Sequence, residues 1–174
     1  MTRINYILNI FLVALIAHSI DASAQTCGAE SSPQESNTRF FINADDTVTD
    51  LDSGLTWMRC SVGMEWNGKH CIGAARTFDW RIAMQLGKKN PPGSHAWRLP
   101  RLPELATLVE QRCKIAPRVN TTIFPDTPAK PHWTSTTKPG WSDTAYALGF
   151  DARGVAAYAH DQKFAVRLVT GRED

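Results

Sequence analysis

The side chains best suited to chemistry beyond packing are four cysteines, Cys27, Cys60, Cys71 and Cys113, and four of the five histidines, the scattered His70, His95, His132 and His160. Thiolates and imidazoles bind zinc, and thiols in pairs form disulfides. Cys60, His70 and Cys71 lie close in sequence, but adjacent His70-Cys71 is poor ligand spacing for a tetrahedral metal. An even cysteine count in an exported chain instead argues for two disulfides, and four cysteines allow three pairings. The preferred pairing closes a local loop with Cys60–Cys71 and ties an N-terminal arm to a helix end with Cys27–Cys113. In the chain-entropy model the longer loop contributes roughly 4–5 kcal/mol and the shorter about 3. Asp45, Asp46, Asp50 and Asp52 offer oxygen ligands for calcium, but their spacing does not follow an EF-hand loop, and Asx turns account for them. The histidines include no i,i+4 pair, and no G-x-S-x-G, H-E-x-x-H or phosphate-loop pattern occurs. No catalytic residue, cofactor or metal is expected.

The chain that must position these residues has 174 residues, the size of one ordinary domain. Arg3, the apolar run from Tyr6 to Ile16 and Ala22-Ser23-Ala24 have the order of a secretory signal: basic start, short apolar core, small-residue cleavage site. The expected organisation is a signal peptide at 1–24, a polar arm at 25–38 held by Cys27, and one domain at 39–174. No later segment is apolar enough to span a bilayer, so the mature chain is expected to be periplasmic, extracellular or on the cell surface. A net charge of +2, without a Lys/Arg run, argues against a nucleic-acid partner.

Periodicity predicts short strands at Phe40–Ile42, Thr47–Asp50 and Leu55–Cys60, separated by turn residues. Cys60 to Cys71 encloses a loop with the turn signal Asn67-Gly68. Helices are predicted near 78–89 and 103–113. The first has a Trp80, Ala83, Met84 stripe. The second has Pro103 at its start, Glu104 in its first turn, and Leu105 and Leu108 on one face. Asn90-Pro91-Pro92-Gly93 is a stop. Residues 114–133 carry four prolines and no period. Strands resume at Ala145–Phe150, Val155–Ala159 and Phe164–Val169. Trp57, Trp97, Leu99, Leu105, Leu108 and Leu168 are predicted to share one core. Arg98 alternates with Trp97 and Leu99, so it is expected to bind a carboxylate or backbone carbonyls and pin the turn at Pro100.

Trp97-Arg98-Leu99-Pro100 followed by Glu104-Leu105 resembles the WRLP-x-x-x-EL signature of the Legionella collagen-like C-terminal (Lcl) domain family. Arg101 stands where that family usually has Thr or Ser, which breaks the capping box. Three further stretches are similar to the family in the same order: Asp46-Thr47-Val48 with Gly54 to Cys60, His132 to Thr136, and Val166-Arg167-Leu168-Val169. A related pattern occurs in formylglycine-generating-enzyme-like proteins, a variant of the C-type lectin fold. Their activity needs cysteines near the chain end, and this chain has none after Cys113. The resemblance implies an α+β, C-type-lectin-like domain: two helices packed on a twisted antiparallel sheet, with long disulfide-tied loops.

The resemblance also implies a non-catalytic binding module, an adhesin for sulfated polysaccharide or another envelope or host-surface ligand, as a homo-oligomer. The candidate contacts are Lys130, His132, Lys138, Trp141, Arg153, Tyr158 and His160. Exposed aromatics stack on sugar faces, and cations pair with sulfate or carboxylate. The alternative is an envelope enzyme or an assembly factor for a secretion or pilus system. A deep pocket with convergent titratable groups would mark the enzyme; a shallow basic and aromatic surface would mark the binder.

Overall fold

The computed structural model describes residues 39–89, 96–111, 113 and 115–171. The expected signal segment 1–24, the arm 25–38 with Cys27, and the stop at 90–93 lie outside the described residues. Nine strands occur among them: β1 (Phe40–Ile42), β2 (Val48–Asp50), β3 (Leu55–Trp57), β4 (Met64–Trp66), β5 (Cys71–Gly73), β6 (Pro131–Thr137), β7 (Thr144–Gly149), β8 (Val155–Ala159) and β9 (Val169–Thr170). They form antiparallel sheets ordered β1-β2-β3-β9, β4-β5 and β6-β7-β8. The class is α+β, with sheet dominant.

Where two full helices were expected there are three short ones, α1 (Trp80–Ala83), α2 (Leu86–Lys89) and α3 (Leu102–Ala106). Asp79 caps α1 by accepting the Ile82 N–H at 2.9 Å. The helical path is interrupted at Met84-Gln85, and α2 brings Gly87 against the Trp97 carbonyl, where any Cβ would collide. After α3, Leu108 and Val109 bond to Leu105 and Ala106, three residues back. A three-residue turn still keeps i and i+3 aligned, so Leu105 and Leu108 remain on one buried face although the α-helix has ended.

The expected single core is two. One cluster holds Trp57, Leu105 and Leu108 with Val48, Phe124, Leu148 and Phe150. The other holds Trp97, Leu99 and Leu168 with Trp133, Ala145 and Ala147. The β6-β7-β8 sheet contributes to both, because alternate residues of β7 face opposite ways: Ala145 and Ala147 to one cluster, Leu148 to the other. The closing segment ties the sheets together. Phe164 bridges Phe78, Ala165 bridges His132, and Val169 pairs with both Trp57 and Arg98.

Cys60 and Cys71 are joined as expected, and the stretch they enclose, expected to be a loop, is the β4-β5 hairpin. Cys113 is also disulfide-bonded; its expected partner Cys27 lies outside the described residues. The aspartates of the first turns serve the backbone. Asp45 accepts from the Thr47 N–H and hydroxyl, and Asp50 receives two bonds from Arg39, at 3.0 and 2.7 Å. Burial alone would raise the Asp50 carboxyl, but Arg39 outweighs it and holds the group below its ordinary range.

Candidate functional site

Strands β6 and β7 are joined by a turn in which the Trp141 N–H donates to the Lys138 carbonyl, and the Lys138 N–H to Thr144. Pro139 and Gly140, the latter at φ +79°, make this reversal. The turn leaves Trp141 58% exposed, with the Lys138 ammonium 4.4 Å above its ring. His160, just past β8, lies beside this turn, its N–H donating to the Asp143 carbonyl at 2.8 Å. Its ring stacks on Trp80 with centroids 4.1 Å apart and planes 13° from parallel. The Trp80 indole N–H donates to the Thr134 carbonyl, which holds the ring in place. One end of the sheet thus gathers Lys138, Trp141, His160 and Trp80.

The other candidates do not join them. Lys130 precedes β6, and Arg153 sits in the β7–β8 turn, at the opposite end of a six-residue strand. At ~3.4 Å per residue that is roughly 17–20 Å away. Arg153 is also engaged, donating from Nε to Asp151 at 2.7 Å, and its hydrogen bond holds the Asp151 carboxyl below the usual range. Tyr158 is half-buried, its ring set edge-on to Phe164. His132 must be taken out of the surface set. It is fully buried, because the parallel bridge to Ala165 and the edge-on Phe150 ring enclose it. Seven residues expected to act together are therefore one end group, one distant pair, one half-buried ring and one core residue.

Residues 46–170 match the sequence model of the Lcl C-terminal domain. The chain belongs to the Lcl C-terminal domain family. No curated protein matches it. The matched span runs from the β1–β2 turn to β9, so it takes in the second core, all of the first but Phe40, and the Trp141 end of the sheet.

In this Lcl domain the WRLP stretch is an anchor. Arg98 donates twice to Glu104, both bonds at 2.7 Å, and Glu104 also accepts the Arg101 N–H at 2.7 Å. Half of the capping box therefore survives: Glu104 reaches back, while Arg101 gives no side-chain cap. The Leu102 N–H, one of the first-turn donors with no partner inside the helix, finds the Thr136 hydroxyl on β6. Burial would raise the Glu104 carboxyl, but Arg98 together with the Arg101 N–H holds it below its ordinary range. Replacing Arg98 by Lys leaves one ammonium where a two-pronged fork fitted. Arg98→Lys is expected to cost on the order of 1–3 kcal/mol in thermal unfolding, with polyanion retention by the folded protein intact. Unchanged stability with lost retention would reassign Arg98 to the ligand.

Arg167, to which the sequence alone assigns no role, is the largest buried charged side chain among the described residues. Its guanidinium donates to the Met58 and Arg59 carbonyls and to the Thr127 hydroxyl, with a longer bond to Ser61 at 3.4 Å. Ser61 Oγ in turn lies 3.3 Å from His132 Nε2, and His132 Nδ1 lies 2.9 Å from the Lys130 carbonyl. A carbonyl only accepts, so Nδ1 carries the hydrogen, Nε2 is the acceptor, and the Ser61 hydroxyl donates to it. Ser61 and His132 have the atoms of a nucleophile and its base. Both are buried, and the imidazole is pushed down to about 3 by burial and by the Arg167 charge, which makes it a weak base at neutral pH. The signal for Arg167 was present in the sequence: a lone charge inside the apolar run Val166 to Val169.

Proposed function

We propose that this Lcl domain is an exported, non-catalytic binding module that takes an anionic polysaccharide at the Lys138–Trp141 end of its three-stranded sheet. The observation that carries this reading is the exposed Trp141 ring with an ammonium above it. A flat apolar ring stacks on the face of a sugar, and the adjacent cation pairs with its sulfate or carboxylate. The partly buried Trp80–His160 stack lies at the same end of the sheet and is held without needing to reorder on binding. Export agrees with the Cys60–Cys71 disulfide and with the absence of any helix long and apolar enough to cross a membrane among the described residues. The burial of the Ser61–His132 pair favours binding over catalysis.

Retention on immobilised heparin, followed by a glycan array, tests the proposal. Trp141→Ala and Lys138→Ala are each expected to weaken binding about tenfold, a change of ~1.4 kcal/mol, and to leave the melting temperature unchanged. Full retention in both variants, with loss in Lys130→Ala or Arg153→Ala, would move the site to the opposite end of the sheet.

A further inference from the structure

Strand β8 is an open edge. It pairs with β7 on one side, and, among the described residues, 155–159 make no hydrogen bond to another strand on the other. The far edge of the same sheet is occupied: β6 bonds to Ala165, and Ser135 bonds to Pro100. Edges are usually blunted by lysine, proline or a bulge. Val155-Ala156-Ala157-Tyr158-Ala159 has no such residue, and its register with β7 is unbroken.

The phase of the ladder determines which groups are offered. Gly149 donates to Gly154 and His160 to Asp143, so the even-numbered residues of β8 turn their backbone groups toward β7. Those of Val155, Ala157 and Ala159 point outward. The Ala159 carbonyl also accepts the Gln162 N–H at 3.1 Å, which leaves its amide as the free group there.

We propose that β8 pairs antiparallel with β8 of a second copy, about a two-fold axis at Ala157, joining two three-stranded sheets into one. Three features of the strand select a second copy as the occupant. The Ala157 pair exchanges both of its hydrogen bonds across the axis, and each Ala159 N–H donates to the other copy's Val155 carbonyl. The side chains are self-complementary: Val155 falls opposite Ala159 and Tyr158 opposite Ala156, so each large group meets a methyl. The charges are complementary as well. Exposed Arg153, held to Asp151 of its own turn, precedes the strand and exposed Asp161 follows it, and the two-fold brings each guanidinium toward the other copy's Asp161. The same axis sets the second copy's Arg153–Asp151 pair near the His160 end of the first.

Sedimentation velocity of the purified protein over a wide concentration range, without polysaccharide, tests this independently of ligand binding. A monomer–dimer equilibrium is expected. Ala157→Pro deletes an outward N–H and no β7 bond, so circular dichroism stays native while the dimer dissociates at least about tenfold more readily. In case the proline perturbs the hairpin, the charge swap gives a second reading. Arg153→Asp and Asp161→Arg each weaken the dimer, and the double variant restores it. A monomer at every concentration would overturn the proposal. So would a trimer, or a dimer indifferent to both Ala157→Pro and the charge swap, because this edge closes on two copies through residue 157.

Discussion

Arg167→Met is expected to destabilise the domain by on the order of 3–5 kcal/mol, a large part of what a domain of this size has. The thioether fills much of the same space but donates nothing. The Met58 and Arg59 carbonyls and the Ser61 and Thr127 hydroxyls would lose their donor together. Each buried acceptor left without a partner costs about 1–3 kcal/mol. Relief from holding a guanidinium in the interior offsets part of that total. The offset is incomplete because the native charge is well solvated by oxygens and lies 4.9 Å from the Phe124 ring, although no carboxylate pairs with it among the described residues. Burial pushes the group down to about 9, which leaves it charged at neutral pH. Urea unfolding checks the value. A loss below ~1 kcal/mol would mean that water replaces the guanidinium at those oxygens.

Acid should destabilise the domain well above the range in which carboxylates titrate, through His132. An unfolded histidine takes up a proton below about 6.5. The folded ring does not until about 3, held there by burial and by the Arg167 charge, against the opposing pull of the Lys130 carbonyl. Between those values the unfolded state binds more protons, so stability rises with pH and is fully present above about 6.5. On acidification the loss reaches roughly 2–3 kcal/mol by pH 4.5. Protonation also removes the acceptor that the Ser61 hydroxyl needs. Asp50 and Glu104, whose carboxyls are held low, lose their contributions only as pH falls further, below about 4. Denaturant midpoints measured from pH 7.5 to 4.5 should slope in the parent and be flatter in His132→Gln, whatever that variant's absolute stability. Equal slopes would assign the acid sensitivity to other groups.

Much of the fold was legible in the chain. The opening meander and the β7–β8 hairpin lie where alternation and turn residues put them, because strand periodicity and glycine turns are local properties, whereas the closing strand expected over Phe164–Val169 is regular only at Val169–Thr170, with Phe164 and Ala165 held in isolated bridges. The Cys60–Cys71 link was legible for the same reason, eleven residues apart around a turn. Arg98 was legible because it alternates with two apolar neighbours before a proline, and its partner Glu104 lies six residues on. The helices were over-read. Apolar spacing at 3 and 4 suits an α-helix and also a run of tighter turns, and close approach to Trp97 at Gly87 is invisible in a helical pattern.

The sequence by itself determined the family, the strands of the opening meander and of the β7–β8 hairpin, and the residue types available for a ligand. The tertiary structure alone decided which of those residues meet. Trp141 and His160 share an end because β7 and β8 are antiparallel and the turns flanking that end lie side by side. Lys130 and Arg153 are excluded by the length of the same strands. His132 looks like its neighbours in sequence but is enclosed by Phe150 and Ala165, and Arg167 finds its carbonyl at Met58 from 109 residues away. Periodicity records which residues share a face of one element. Burial depends on what packs onto that face, and that arrives from distant chain through contacts that no local pattern encodes.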